Sequence, residues 1–207
     1  MVMYKDMTKD QEIIWLAGFI DADGCIRLSK GWKNKKRVHS LIPQVSIHNI
    51  CLVTLNKVAE IVGRISPGFD TSWRNRTSDK HAPMYNINVM GIKRCTPLVK
   101  VIRPYLVTKA LEADLLVRFM ELRQSAMSHN AHYGSEEFQI YFALKELKKS
   151  RHLRDFTPTI EEILNQDKVR TSAKVLERDE SSLRLSVEEQ KERASKLVWY
   201  RKDRLKK

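Results

Sequence analysis

Two acidic side chains stand at the end of a predicted helix, in the run Asp21-Ala22-Asp23-Gly24. The carboxyl-terminal end of a helix carries partial negative charge and carbonyl groups without partners inside the helix. The Asp23 carboxylate and the Ala22 carbonyl therefore offer ligands for a hard cation such as Mg²⁺. The alternative for Asp23 is a structural carboxylate at the helix end, which is the commoner role of an Asp-Gly pair. We interpret Asp21 mainly as structural at the turn.

Hydrophobic spacing and capping residues predict the elements that position this turn. Thr8 and Gln11 form a capping box at the start of the helix that ends there. Alternation predicts strands, and apolar residues three and four apart predict helices. Gly63 is expected to end the second helix. In chain order, the later elements are strands 25–30 and 39–48, a helix over 50–62, strands 64–73 and 84–90, and a helix over 92–102.

This order, αββαββα, predicts an α+β fold with a four-stranded antiparallel sheet. Helices can cover only one face of such a sheet, so the other face must meet water or a ligand. Pro104 interrupts the chain, and Thr108 is the predicted N-cap of a longer helix to Leu122. Further helices are expected from Ser135 to Lys149 and from Thr157 to Leu164. We expect a domain over 1–165, with its core at 8–123 and C-terminal helices at 124–165, and a basic helical extension over 166–207.

The nonapeptide at residues 16–24, Leu-Ala-Gly-Phe-Ile-Asp-Ala-Asp-Gly, closely resembles the signature of the LAGLIDADG homing endonucleases. Together with the αββαββα layout, the resemblance extends to about residue 123. It implies a saddle-shaped sheet and a Mg²⁺-dependent endonuclease that cleaves both strands of a long pseudo-palindromic DNA target, leaving 3′ overhangs. In that family the second acidic residue of the motif is a metal ligand, which corresponds to Asp23.

Three further residues are candidates for the active site. Lys109 stands where a helix begins, and a cation at that positive end favours an anionic partner. Its place after Pro104-Tyr105-Leu106 is similar to that of the family's active-site lysine, which would stabilise phosphate charge or tune the attacking water. The family often has a polar residue that orders water at the end of the second strand. Either His48 or Asn49 could take that role, or Asn49 could simply cap the next helix.

The motif occurs once, which predicts a twofold homodimer. Ala17 and Gly18 lack bulky side chains, so a second helix could approach closely there. A chain with one copy of the motif would take that helix from a second subunit, with the same surface used on both sides. The residues expected at the dimer interface are Ile14, Ala17, Gly18 and Asp21.

The charge of the chain predicts a nucleic-acid partner. Its 38 Lys+Arg against 25 Asp+Glu give a formal net charge of +13, which favours a polyanion. Arg, Asn and Gln on an antiparallel ribbon can contact base edges in the major groove. The candidates on the open face are Arg27, Ser29, Ser40, Gln44, Ser46, Asn86 and Asn88. Those in or beside the hairpin loops are Lys33, Lys35, Lys36, Arg37, Arg74 and Arg76.

Two other functions compete with the endonuclease. An RNA maturase, with intron RNA as its partner, could use the basic extension, where residues 168–207 carry 13 Lys+Arg against 7 Asp+Glu. A DNA-binding regulator without catalysis could use the same fold, but it would not need an acidic metal site. The three cysteines lack metal-ligand spacing and suit free thiols. Neither a secretory signal nor a membrane span is predicted, so we expect an intracellular protein with no membrane partner.

Overall fold

The computed structural model describes residues 7–32, 39–74, 84–127, 133–150 and 158–182. It confirms the predicted α+β class and the αββαββα order. The helices and strands are α1 (Lys9–Asp23), β1 (Gly24–Trp32), β2 (His39–Asn49), α2 (Leu52–Ile65), β3 (Asp70–Arg74), β4 (Met84–Met90), α3 (Ile92–Ile102), a 3₁₀ turn (Arg103–Tyr105), α4 (Ala110–Met127), α5 (Ser135–Ser150), α6 (Ile160–Leu164) and α7 (Asp167–Ser182).

The four strands form one antiparallel sheet in the order β1-β2-β4-β3, with β1 and β3 at its edges. Successive side chains alternate between its two faces. Ile26, Val45, Ile47 and Val89 are buried on one face, where they join the hydrophobic core with the helices. The opposite face carries the polar residues. The predicted arrangement, with helices on one side of the sheet, is therefore confirmed.

The amino-terminal end of α1 is fixed by local and tertiary bonds. The predicted capping box is present: the Thr8 hydroxyl accepts from the Gln11 backbone N–H at 3.3 Å, and the Gln11 side chain accepts from the Thr8 N–H at 2.8 Å. Glu12 is buried and accepts from Lys57 at 2.7 Å and from Arg64 of α2. This paired carboxylate ties the first turn of α1 to α2.

Two predicted boundaries in this region are wrong. Gly63 does not end α2, which continues to Ile65 and is capped at Ser66. In the segment between α2 and β3, the glycine with a left-handed backbone is Gly68, with φ of 83°. Beyond the glycine, Arg64 pairs with Glu12 and Glu60, and Ile65 packs against the core. These contacts keep the helix going, because tertiary packing outweighs a single weak helix former. The following strand therefore starts at Asp70 rather than at residue 64.

The carboxyl-terminal helices pack beside the sheet. The helix predicted from Ser135 is α5, which contacts α4, α7 and β1. The cap of α6 is Thr159, which forms a capping box with Glu162, rather than Thr157. Residues 183–207, including most of the basic extension, lie outside the described residues. Within the described parts of the chain, no helix combines the length and the apolar character needed to cross a bilayer.

Candidate active site

The carboxyl-terminal end of α1 brings together an acid and an amide. Asp23 is the last residue of α1 and is exposed. Antiparallel pairing of β1 with β2, in which Gly24 faces Ile47, sets the end of β2 beside this turn. The Asn49 side-chain N–H donates to Asp23 Oδ2 at 2.9 Å, and the Asn49 carbonyl oxygen accepts from the Cys51 N–H at 2.7 Å. The amide therefore holds one carboxylate oxygen and leaves the other open.

The same geometry separates the two candidates at the end of β2. His48 lies opposite Asn86 of β4, on the polar face of the sheet, whereas Asn49 bonds to Asp23. Neighbouring residues of a strand project to opposite faces. Asn49 is therefore the one of the two whose side chain bonds to the acidic turn.

Asp21 joins the end of α1 to the beginning of α4. Its carboxylate accepts the backbone N–H groups of residues 107–109 at 2.6, 3.0 and 2.9 Å, together with the Thr108 hydroxyl at 3.1 Å. Burial raises the pKa of Asp21, but these hydrogen bonds outweigh it and lower the pKa below its ordinary value. The hydroxyl of the predicted cap residue, Thr108, thus bonds to a carboxylate more than eighty residues earlier in the chain.

Lys109 makes the reciprocal contact. Its side chain is buried, and its Nζ donates to the carbonyl of Ile20 at 2.9 Å and to that of Asp21. These carbonyls belong to the last turn of α1, the negative end of the helix dipole. The charge conflict expected at the start of α4 is resolved in this way: the carboxylate of Asp21 meets the positive end of α4, and the ammonium meets the negative end of α1.

The oxygen atoms at this turn suit a hard cation. Asp23 retains a carboxylate oxygen without a bond in the described part of the chain, and Ala22 is an exposed residue of the last helical turn. Asp21 is already engaged by the backbone of residues 107–109. Among the described residues, no group of three or more His, Cys, Asp or Glu could hold a metal ion. One chain therefore brings a single open carboxylate to this turn.

The solvent-facing side of α1 is a stripe of small and apolar residues. Ile14 is 49% exposed, and Gly18 and Ala22 are also exposed. A Cβ added at Gly18 would meet nothing within 4 Å. Two members of the predicted interface face elsewhere: Ala17 is fully buried in the chain's own core, and Asp21 bonds to the start of α4. Ala17 is therefore wrong as an interface residue, because the helical period turns it toward the sheet.

The polar face of the sheet is built around Gln44. Its side-chain oxygen accepts from Arg27 Nε at 3.1 Å and from the Ser29 hydroxyl, and its amide donates to Asn88 at 2.9 Å. The predicted alternation holds for this row. Three residues expected to be open are nevertheless covered by neighbours on this face, since their strands lie inside the sheet: Gln44, Ser46 and Asn86.

Some predicted DNA contacts have no described side chain. Lys33, Lys35, Lys36, Arg37 and Arg76 lie outside the described residues, and Arg74 is the last residue of β3. Arg27 is exposed on the polar face, while Ser40 and Asn88 are half-buried.

Several cations of the helical layer, by contrast, pair with carboxylates. Lys100 lies 3.2 Å from Glu121, Arg118 lies 2.6 Å from Glu136, and Arg64 lies 2.7 Å from Glu60. Arg103 likewise pairs with Asp114. Arg27, on the polar face, has no carboxylate partner among the described residues and bonds to an amide instead. On the polar face, the Arg27 guanidinium is thus not neutralised by a carboxylate of the described residues.

The chain has the αββαββα fold of the LAGLIDADG homing endonucleases. The homing endonuclease I-CvuI, in complex with its target, aligns with a TM-score of 0.54 at 20% identity over 81% of this chain and 96% of that one. The archaeal intron-encoded homing endonuclease I-Vdi141I, complexed with DNA, gives 0.50 at 15% identity over 81% and 99%. The LAGLIDADG meganuclease I-CpaMI, bound to uncleaved DNA, gives 0.50 at 11% identity over 71% of this chain and 51% of that one.

These comparisons confirm the predicted resemblance at the level of the fold. No protein-family model and no curated protein matches the chain.

Proposed function

We propose that this protein is a homodimeric, divalent-metal-dependent endonuclease that cleaves both strands of a specific DNA target. The observation that carries the proposal is the grouping of exposed Asp23 with Asn49 and the buried Lys109 at the carboxyl-terminal end of α1. An open carboxylate, an amide that orients it and a lysine at the same turn are groups that can serve phosphodiester hydrolysis with a metal.

Asp23 and the Ala22 carbonyl would hold the cation, and Mg²⁺ fits because both ligands are oxygens. When bound, the cation would activate water and stabilise the negative charge that develops on the phosphate. Asn49 orients the Asp23 carboxylate by donating to Oδ2. Lys109 offsets the negative end of α1, so that a carboxylate and a phosphate can approach it together.

The dimer is supported by the exposed stripe on α1. Glycine inside a helix costs about 0.5–1 kcal/mol relative to alanine, and nothing in the described chain approaches Gly18 closely enough to require it. A second α1 crossing at Ile14, Gly18 and Ala22 would use that space. It would also bring two Asp23 carboxylates near the twofold axis, where divalent cations would neutralise their repulsion.

The polar face of the sheet is the proposed DNA surface. Its ordered network of Arg27, Gln44 and Asn88 holds the side-chain types that read base edges in the major groove. We expect the target to be pseudo-palindromic, because a twofold protein presents the same face to each half-site. The 3′ overhangs are expected from the resemblance.

The test is an in vitro selection with a matched pair of variants. A randomised palindromic duplex library is incubated with the protein in Mg²⁺, and the cut ends are sequenced. Asp23→Asn should abolish cleavage and retain DNA binding. Asp10→Asn removes the same charge from the exposed first turn of α1, and it should cut like the unaltered protein.

Cleavage by Asp23→Asn would disprove the catalytic assignment. A library that is bound and never cut by the unaltered protein would favour the regulator, or the maturase if intron RNA also binds. The maturase alternative rested on the basic extension, most of which lies outside the described residues, so no observation on the described residues favours RNA as the partner.

A further inference from the structure

A cleft with basic walls runs between the edge strand β1 and helix α5. Its volume is about 360 Å³. Strand β1 contributes Arg27, Ser29 and Lys30 to the lining, and α5 contributes Lys145 and Lys148. Tyr141 and Leu144 form the apolar floor and are buried, so α5 is anchored against the strand. The cleft thus has fixed walls with cationic side chains along both rims.

The α5 rim adjoins the polar face of the sheet. Lys148 Nζ lies 3.9 Å from Cys25 Sγ. Cys25 is the cross-strand partner of Ser46, in the row that belongs to the polar face. An ammonium group on α5 therefore reaches the border of the surface that we assign to DNA.

The lysines of α5 differ in whether they pair with a carboxylate, according to the side of the helix on which they lie. Lys149 pairs with Glu146 at 3.0 Å, and Lys168 of α7 pairs with the same carboxylate at 3.2 Å. Lys145 and Lys148 are exposed and have no carboxylate partner among the described residues. Lys145 lies 5.2 Å from the centroid of the Tyr141 ring instead. Within the described parts of the chain, the two lysines on the β1 side of α5 are thus not neutralised by a carboxylate.

We propose that this cleft binds the phosphodiester backbone of duplex DNA, with Lys145 and Lys148 as phosphate contacts beyond the sheet. The inference rests on the proposed function, because a duplex lying on the polar face would carry its backbone past the edge strand. Phosphate contacts of this kind fix the register of the protein on DNA and carry no sequence information themselves. The helix α5 would therefore add affinity without altering the preferred target.

The test is the salt dependence of DNA binding. The full chain is titrated against a fluorescent duplex of random sequence in buffers of increasing KCl with a chelator present, so that cleavage does not interfere. Each lost phosphate contact makes the slope of log K against log salt shallower by about 0.9. The double variant Lys145→Gln/Lys148→Gln removes two lysines per chain, so a dimer should lose up to about 3.6 in slope.

The matched control is Lys149→Gln/Lys168→Gln. It removes the same charge from the facing sides of α5 and α7, where both lysines pair with Glu146. It should leave the slope close to that of the unaltered protein. An unchanged slope for Lys145→Gln/Lys148→Gln would overturn the inference. An equal loss of slope in the control variant would also overturn it, because the change in net charge would then explain the effect.

The selection described above separates this inference from the proposed function. If the double variant cuts the same target with weaker binding, both stand. If the unaltered protein binds and cuts DNA while the double variant keeps its salt slope, the cleft assignment fails alone. If the unaltered protein does not bind duplex DNA, both fail together.

Discussion

Replacement of Gly18 by alanine tests the proposed dimer, because it should affect the protomer and the dimer in opposite directions. In a single chain the new methyl group would meet nothing within 4 Å. Alanine is the better helix former, so the folded protomer should gain about 0.5–1 kcal/mol. If a second α1 crosses at this point, two added methyl groups would enter a close contact. Overpacking of that kind costs about 1–3 kcal/mol, which weakens the dimer by roughly one to two orders of magnitude in dissociation constant.

The measurement is sedimentation equilibrium over a range of protein concentrations, with thermal unfolding under conditions where the protein is monomeric. Gly63→Ala is the control. Gly63 lies inside α2, and its added Cβ would lie 3.5 Å from the Phe69 ring, an ordinary contact distance. The control should raise protomer stability by a similar amount and leave the dissociation constant unchanged. If Gly18→Ala stabilises the protomer and the dissociation constant does not rise, or if the unaltered chain is a monomer that still cuts both strands, the reasoning about α1 is refuted.

Two other predictions concern the turn at the end of α1. Asp21 has a pKa below its ordinary value of 3.8 in the folded protein, so its contribution to stability is present above that value and is lost as the pH falls toward the native pKa. Asp21→Asn should therefore lower stability at neutral pH and make the acid limb of a pH–stability profile shallower. An acid limb that superimposes on that of the unaltered protein would contradict the role of the Asp21 carboxylate in holding residues 107–109. Asn49→Ala should reduce the single-turnover cleavage rate and spare DNA affinity, because only the support of Asp23 is lost. His48→Ala, on the polar face, should affect affinity more than rate, and the reverse pattern would transfer the role to His48.

The elements could be predicted from the sequence because they depend on local spacing. Alternation along residues 39–48 determines which side chains of β2 face the core, and Thr8 with Gln11 forms a cap within one helical turn. The nonapeptide at 16–24 identified the turn that carries Asp23. The predicted boundary at Gly63 was wrong for the complementary reason. The contacts of Arg64 with Glu12 and of Ile65 with the core decide whether α2 continues, and the spacing of residues does not reveal them.

The sequence by itself determined the αββαββα order, the acidic turn and the surplus of positive charge. The tertiary structure decided which side chains meet. Asp21 binds the backbone of residues 107–109 ahead of α4, Asn49 rather than His48 supports Asp23, and Ala17 faces the core while Gly18 faces outward. The structure also placed two lysines of α5 beside β1. Such pairings join residues far apart in the chain, and they are fixed by how the helices pack on the sheet rather than by the preferences of any short segment.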